Sequence, residues 1–318
     1  MSSIIEFLKQ LGVYPFLSLV LELTVSLIVW LLLAPLLPGI INRVKAWVAG
    51  RKGPRVLQLY YDLAKLWERG VVLSKLASPG FIAATAISWV AVLAAALLVP
   101  LGPFDSWLSF HGDVILFLYL LALARFCTAW AALETGSAFE GMGTAREVSF
   151  AILTEAALIT AVLTLAVKSS TLTLGYMLTP TPGAGTLLLA LGLFAALLAE
   201  SCRVPVDDPN THLELTMIHE VMILDHSGPL LAAALHGSAM KLLLFSVLLV
   251  KMILPLEELS PLMSTVSLIA GITLVSISVG VIESFLARYA FRKIPLFLTT
   301  AFLFCFFALL TTWKGFAQ

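Results

Sequence analysis

The chain has 318 residues, 60% of them hydrophobic and 12% charged, with no net formal charge. Soluble globular chains carry about 25% charged residues, so this composition excludes an ordinary soluble domain and points to an integral membrane protein. A balanced charge with no Lys/Arg-rich run among aromatics leaves no footprint for nucleic acid. Cys127, Cys202 and Cys305 lie far apart and form no CxxC pair, which argues against an iron–sulfur cluster or structural zinc carried by this chain alone.

At the N-terminus, Glu6 and Lys9 come early and no small-residue cleavage site follows, which argues against a signal peptide. Apolar windows of about 20 residues then predict an all-α bundle, a single membrane domain over 1–318. Eight transmembrane helices are expected near 14–41, 79–101, 114–133, 148–167, 184–202, 229–253, 262–284 and 294–313. Pro38 and Gly39 are read as ending the first, Ser78-Pro79 as opening the second and Pro255 as closing the sixth. The connections 42–78, 134–147, 203–228 and 285–293 hold most of the Lys and Arg, from Arg43 and Lys45 through Arg288, Arg292 and Lys293. By the positive-inside rule these loops are cytoplasmic and both termini face outward.

The first of these loops contains RKGPRVLQLYYDLAKLWER at 51–69, which predicts an amphipathic cytoplasmic helix between helices 1 and 2. Leu59, Leu63, Leu66 and Trp67 recur at helical spacing, with Asp62, Lys65, Glu68 and Arg69 on other faces. One reading is an interfacial helix on anionic headgroups; the other is a lip that docks a cytoplasmic partner. The two are compatible.

Further along, Gly136, Gly141 and Gly143 predict a turn that lets the backbone approach a neighbour closely. Glu134, Glu140, Arg146 and Glu147 cluster around it, and Glu155 lies about two turns into helix 4. Glu147 and Glu155 are separated by eight positions, about 80° around a helix, so one cavity can receive both. A surface pair of Arg146 with Glu147 or Glu140 is the plainer account, but it leaves Glu155 unexplained.

The third charged stretch, AESCRVPVDDPNTHLELTMIHE at 199–220, carries Glu200, Arg203, Asp207, Asp208, His212, Glu214, His219 and Glu220. Charges at the hydrocarbon cost roughly 2.5–3.5 kcal/mol each and usually mark function. Glu200 and Arg203 have the spacing of a local pair, and Asp208 is placed to cap a helix carrying His212 and His219 on one face. His212, His219, His226 and Glu220 raise the possibility of a metal site. Val221, Met222 and Ile223 follow Glu220, so the HExxH pattern is absent, and histidines beside carboxylates fit proton handling better. Glu22, His236, Lys241 and Glu283 lie deeper and are expected to face the bundle. Lys241 and Glu283 are candidates for an ion pair or relay; simple interhelical hydrogen bonds are the alternative. No GxSxG, P-loop or dinucleotide fingerprint appears.

Four motifs in order now carry a resemblance. They are RKGP at 51–54 with LQLYYDLAKL at 57–66, ETGSAFEGMGTARE at 134–147 with Glu155 beyond it, AESCRVPVD at 199–207, and DHSG at 225–228. Together they resemble the subunit-1 family of respiratory complex I and its relatives in membrane-bound nickel–iron hydrogenases and formate hydrogenlyases. The likeness covers nearly the whole chain. Thr135-Gly136-Ser137, Glu147 beside Arg146, and ESFLAR at 283–288 are more similar to the hydrogenase branch. Where the family carries closely spaced glutamates after VPVD, this chain has Asn210, Thr211 and His212, with only Glu214 in a matching place.

The resemblance implies a multi-pass anchor in the inner (cytoplasmic) membrane, under a cytoplasmic redox arm. That arm would contain an iron–sulfur subunit and a large hydrogenase-like subunit, with antiporter-like membrane neighbours moving protons or sodium. Iron–sulfur clusters and nickel–iron would reside in the partners, none in this chain, and a quinone is left open. Proton coupling would fall to Glu134, Glu140, Glu147, Glu155, Glu200, Asp207, Glu214, His212, His219, Lys241 and Glu283. Docking would fall to Arg51, Lys52, Arg55, Asp62, Lys65, Arg146 and Arg203. A passive anchor is the main rival reading. A stand-alone transporter would call for an internal repeat, and the basic first loop has no counterpart downstream.

Overall fold

The computed structural model describes residues 13–75, 77–101, 106–209 and 217–316, so His212 and Glu214 lie outside the described residues. The helices are α1 (Val13–Leu33), α2 (Leu36–Val48), α3 (Gln58–Trp67), α4 (Pro79–Leu97), α5 (Asp113–Glu134) and α6 (Ala138–Ser169). They continue as α7 (Leu174–Met177), α8 (Ala184–Glu200), α9 (His219–Met222), α10 (Gly228–Ile253), α11 (Pro261–Phe285) and α12 (Ile294–Phe316). Among the described residues, seven segments are long and apolar enough to cross a membrane, the first being Glu22–Val48 across α1 and α2. The expected fifth span is α8, apolar but only 17 residues long. In the first loop, α3 buries Leu63 and leaves Tyr61, Lys65 and Trp67 exposed.

The bundle is organised around α10. Burial reaches 78% along its apolar window and no more than 44% along any other span, so α10 forms the core and the rest present a face outward. The core runs through Leu242, Leu243, Phe245 and Val247 against Trp30, Leu37 and Ile41 of the first span and Ala95 and Leu98 at the end of α4.

The first span departs from its expected ending. The break falls at Ala34-Pro35, and helix continues through Pro38 and Gly39 to Val48. Pro38 is tolerated because it sits in the first turn of α2, where its missing N–H has no helical partner to lose. Gly39 serves a close approach: a Cβ there would collide with the Val56 carbonyl. Pro35 cannot donate to the Leu31 carbonyl, and His236 Nε2 donates to that oxygen instead, at 3.0 Å. The Tyr60 hydroxyl donates to the neighbouring Leu32 carbonyl. Because Trp89 Nε1 donates to His236 Nδ1 at 3.0 Å, this imidazole is held as the neutral Nε2–H tautomer. His236 therefore repairs a helix break.

The connection expected over 134–147 is also different. Only Thr135, Gly136 and Ser137 separate α5 from α6, with Gly136 at φ 67°, and the residues from Ala138 onward are helical. Gly141 and Gly143 thus lie within α6, and Gly143 brings the helix against Val221 of α9, where a Cβ would collide. The close approach is made by a helix face. Ser78 opens α4 by accepting the Gly80 N–H at 3.0 Å.

Candidate functional site

Arg125, a residue not singled out from the sequence, organises the polar interior. It sits midway along α5, and its side chain is only 8% exposed. Nη1 donates to Glu155 Oε1 and Nη2 to Glu200 Oε1, while Nε lies 3.7 Å from Glu147 Oε1. Glu147 and Glu155 do share one side of α6, and α8 ends so that Glu200 faces the same guanidinium. A cation deep in an apolar span needs such partners, and that was the signal available in LARFC at 123–127.

Two small polar cavities flank Glu200 and Cys202. One, about 20 Å³, is bounded by Arg125, Glu147, Glu200 and Asp207. The other, about 30 Å³, is bounded by Glu200, His219, His226, Lys241 and the hydroxyls of Thr85 and Ser238. Each has room for one or two waters by volume, and neither has room for a quinone head group. A third cavity, about 310 Å³ and largely apolar, opens on the flank between α5 and α6, where Tyr119, Leu118 and Leu158 surround Arg125 and Glu155. Glu155 is the open end of the cluster, with its side chain 46% exposed.

The other acids act differently. Glu134 accepts from the Ser78 hydroxyl at 2.6 Å and from Trp130 Nε1 at 3.0 Å. Glu140, fully buried, accepts from the Thr135 hydroxyl and from the Asp225 N–H at 3.0 Å. Asp207 accepts the backbone N–H groups of Asp208, Ile218 and His219 at 2.9, 3.1 and 2.9 Å. Asp207 thus caps α9, and Arg288 Nη2 approaches it at 3.3 Å. Ser227 joins the first loop to the third, accepting from Val72 N–H at 2.8 Å and donating to Val72 O at 2.7 Å. These bonds sew the basic end into one floor.

Several expected pairs are exchanged. Arg203 does not pair with Glu200: Cys202, at φ 54°, turns the chain, and Arg203 Nη1 faces Glu283 at 3.5 Å. Glu283 also holds Lys45 at 2.9 Å, so it is joined to α2 and the third loop and not to Lys241. Lys241 has no carboxylate within ion-pair distance among the described residues and faces the cavity beside Glu200. Arg146 pairs with neither Glu140 nor Glu147; it donates to the Met217 carbonyl at 2.8 Å and lies 4.4 Å from the Phe291 ring centre. Arg146 and Arg203 are thereby engaged inside the chain. Arg51, Lys52, Arg55 and Lys65 remain exposed, and Asp62 accepts from Gln58 at 2.9 Å. Glu22, expected inside, is exposed on α1. Among the described residues no three of His, Cys, Asp and Glu assemble as metal ligands.

Burial sets the titration of the third loop. It holds His219 down to about 3, with the Lys241 and His226 charges adding to the effect, and His226 down to about 4. It pushes Glu220 up to about 7, helped by the Asp207 charge and opposed by Arg203. The Asp207 carboxyl and the Cys202 thiol are raised for the same reason. Both histidines are therefore neutral at pH 7, and Glu220 is poised to exchange a proton there.

The NADH dehydrogenase family model matches residues 21–313. Hydrogenase-4 component C of Escherichia coli (strain K12) is 32% identical over 285 residues, 84% of this chain and 87% of that protein. Formate hydrogenlyase subunit 4 of the same organism is 38% identical over 122 residues, 38% of this chain and 40% of that protein. A chain of the membrane-bound sulfane sulfur reductase, an archaeal respiratory membrane complex, has the same fold at a TM-score of 0.81 and 19% identity, over 93% of this chain and 99% of that one. With its apolar spans, its charged loops and a match over nearly its full length, the chain belongs to the NADH dehydrogenase family, of the complex I subunit 1 type.

Proposed function

We propose that the chain is the anchor and coupling subunit of a redox-driven, ion-translocating membrane complex of the hydrogenase or complex I kind. In this reading α8 completes eight spans, the basic end faces the cytoplasm and both termini face outward. The exposed Arg51, Lys52, Arg55 and Lys65, beside exposed Trp47 and Trp67, form the surface on which a cytoplasmic electron-transfer arm docks. Iron–sulfur and nickel–iron centres belong to that arm. The names of the hydrogenase-4 and formate hydrogenlyase relatives support this assembly.

The observation that carries the coupling role is Arg125 among three carboxylates beside two cavities that admit water. One cation facing three acids makes a set of coupled titrations, in which a proton gained by one carboxylate changes the affinity of the others. A charge change at the floor, carried by Asp207 and the loop 217–228, reaches the cluster through the cavity both share. Glu155 then offers the proton, or its charge, to the flank where a neighbouring membrane subunit sits. A passive anchor has no use for this cluster, since buried ion pairs are often no more stabilising than apolar replacements.

Glu155→Gln tests the role in membrane vesicles holding the assembled complex. Redox turnover should persist while proton or sodium translocation is lost. Unchanged translocation would overturn the coupling reading in favour of a passive anchor.

A further inference from the structure

Two imidazoles at the larger polar cavity have hydrogen-bonding nitrogens that the protein leaves unsatisfied. The Thr85 hydroxyl donates to the Phe81 carbonyl at 2.9 Å, which uses its single hydrogen. Its 3.0 Å contact with His226 Nε2 must therefore be donated by the imidazole. A neutral His226 with its proton on Nε2 has a lone pair on Nδ1, and that atom is buried without a protein partner. His219 Nε2 is buried and unpartnered in the same way. The same cavity is lined by Lys241, whose ammonium is rich in donors, and by Glu200, whose Oε1 is taken by Arg125.

Buried polar atoms go unpaired rarely, at a cost of about 1–3 kcal/mol each. Here the donors and acceptors are complementary but separated by a gap of about 30 Å³. A site of that size with two to four polar partners suits one or two waters. A metal ion fits less well, because no three ligating side chains converge among the described residues.

We propose that this cavity is a water site, in which one or two bound waters bridge Lys241, His226, His219 and Glu200. The bridge links the Arg125 cluster in the membrane to the loop 217–226 at the basic end. Its part in moving protons rests on the coupling reading above; the water itself does not. The ionisable groups that face it are Glu200, Cys202, His219, His226 and Lys241, with Asp207 and Glu147 behind Cys202 and Glu140 behind Asp225. Low basicity, about 3 for His219 and about 4 for His226, keeps both rings neutral, each with one nitrogen able to accept.

The test uses the full chain in lipid nanodiscs with 15N-labelled histidine and water-edited solid-state NMR. His236 is the internal dry reference, since Trp89 and Leu31 satisfy both of its nitrogens. Exposed His111 is the wet one. Magnetisation should pass from water to the His219 and His226 rings severalfold faster than to His236. Transfer to both as slow as to His236 would overturn the proposal. Ala234→Leu, which fills the cavity without removing a titratable group, should bring both rings to the His236 rate; unchanged fast transfer would place the water elsewhere and also overturn it. The outcomes separate from those of the coupling reading: wet rings with normal translocation in Glu155→Gln would keep the water and refute the coupling, and dry rings with translocation lost would do the reverse.

Discussion

The floor at the basic end and the Arg125 cluster within the bundle both depend on carboxylates, yet they use them in opposite ways. In the floor, Glu134, Glu140 and Asp207 accept hydrogen bonds from hydroxyls, an indole and backbone N–H groups, donors that do not leave. In the cluster, Glu147, Glu155 and Glu200 face a guanidinium and water-sized cavities. A carboxylate held by backbone donors fixes a loop. One held by a movable charge beside water can change its protonation without unravelling a turn. In the coupling reading proposed above, the second arrangement is the one that exchanges protons, and the same residue type serves both.

The sharpest way to break this contrast is at its centre. Arg125→Met leaves three carboxylates without their cation, and removing one partner of a buried ion network costs about 3–5 kcal/mol. A large fall in the unfolding temperature of the detergent-solubilised chain is expected, partly recovered by adding Glu200→Gln. In the floor, Gly143→Val drives a side chain into Val221 and should cost about 1–3 kcal/mol. Its mark should be faster hydrogen exchange over 217–222, with the spans unchanged. Ser227→Ala removes two bonds to Val72, worth about 1 kcal/mol each, and should expose the segment 69–75 to protease.

Acidity distinguishes the regions further. His219 and His226 are held below their usual 6.5, to about 3 and about 4, so the unfolded loop binds more protons than the folded one between those values. Their effect is loss of stability as pH falls below 6.5. Glu220 is raised from 4.5 to about 7, so its effect has the other sign, a loss as pH rises through that interval. Protection of the loop 217–228 from hydrogen exchange, taken relative to the intrinsic rate at each pH, should fall in acid because of the histidines, and Glu220→Gln should remove the part of the loss that grows towards neutral pH. The smallest effect on stability belongs to Arg51→Ala with Arg55→Ala, exposed positions where a change within about 0.5 kcal/mol is expected. In the proposed assembly the docked electron-transfer arm should nonetheless be lost on detergent extraction.

How much of this was legible in the sequence follows from which features are local. Apolar windows and the Ser78-Pro79 start are local signals, and the α-helical membrane class could be read from them. Pro38-Gly39 misled because a proline in a first turn and a glycine at a close approach look the same in sequence as a helix end. Gly141 and Gly143 misled likewise, their backbone approach being made from inside a helix. Ion pairing is not local at all. Glu200 and Arg203 have helical spacing, but the left-handed Cys202 sends them to different partners, Arg125 lying 75 residues from Glu200 and Glu283 lying 80 residues from Arg203. Arg125 stands alone in an apolar run, where no neighbour in sequence marks it, and that isolation is the very circumstance that demands distant partners.

In the proposed coupling role, reduction of a docked arm changes the protonation of the carboxylates around Arg125. Redox-triggered infrared difference spectroscopy on the assembled complex reads this in the carboxyl C=O stretching region. A band that appears or shifts on reduction, moves in D₂O, and vanishes in Glu155→Gln or Glu200→Gln is the predicted result. A difference spectrum with no carboxyl band, or one identical in both variants, would contradict it.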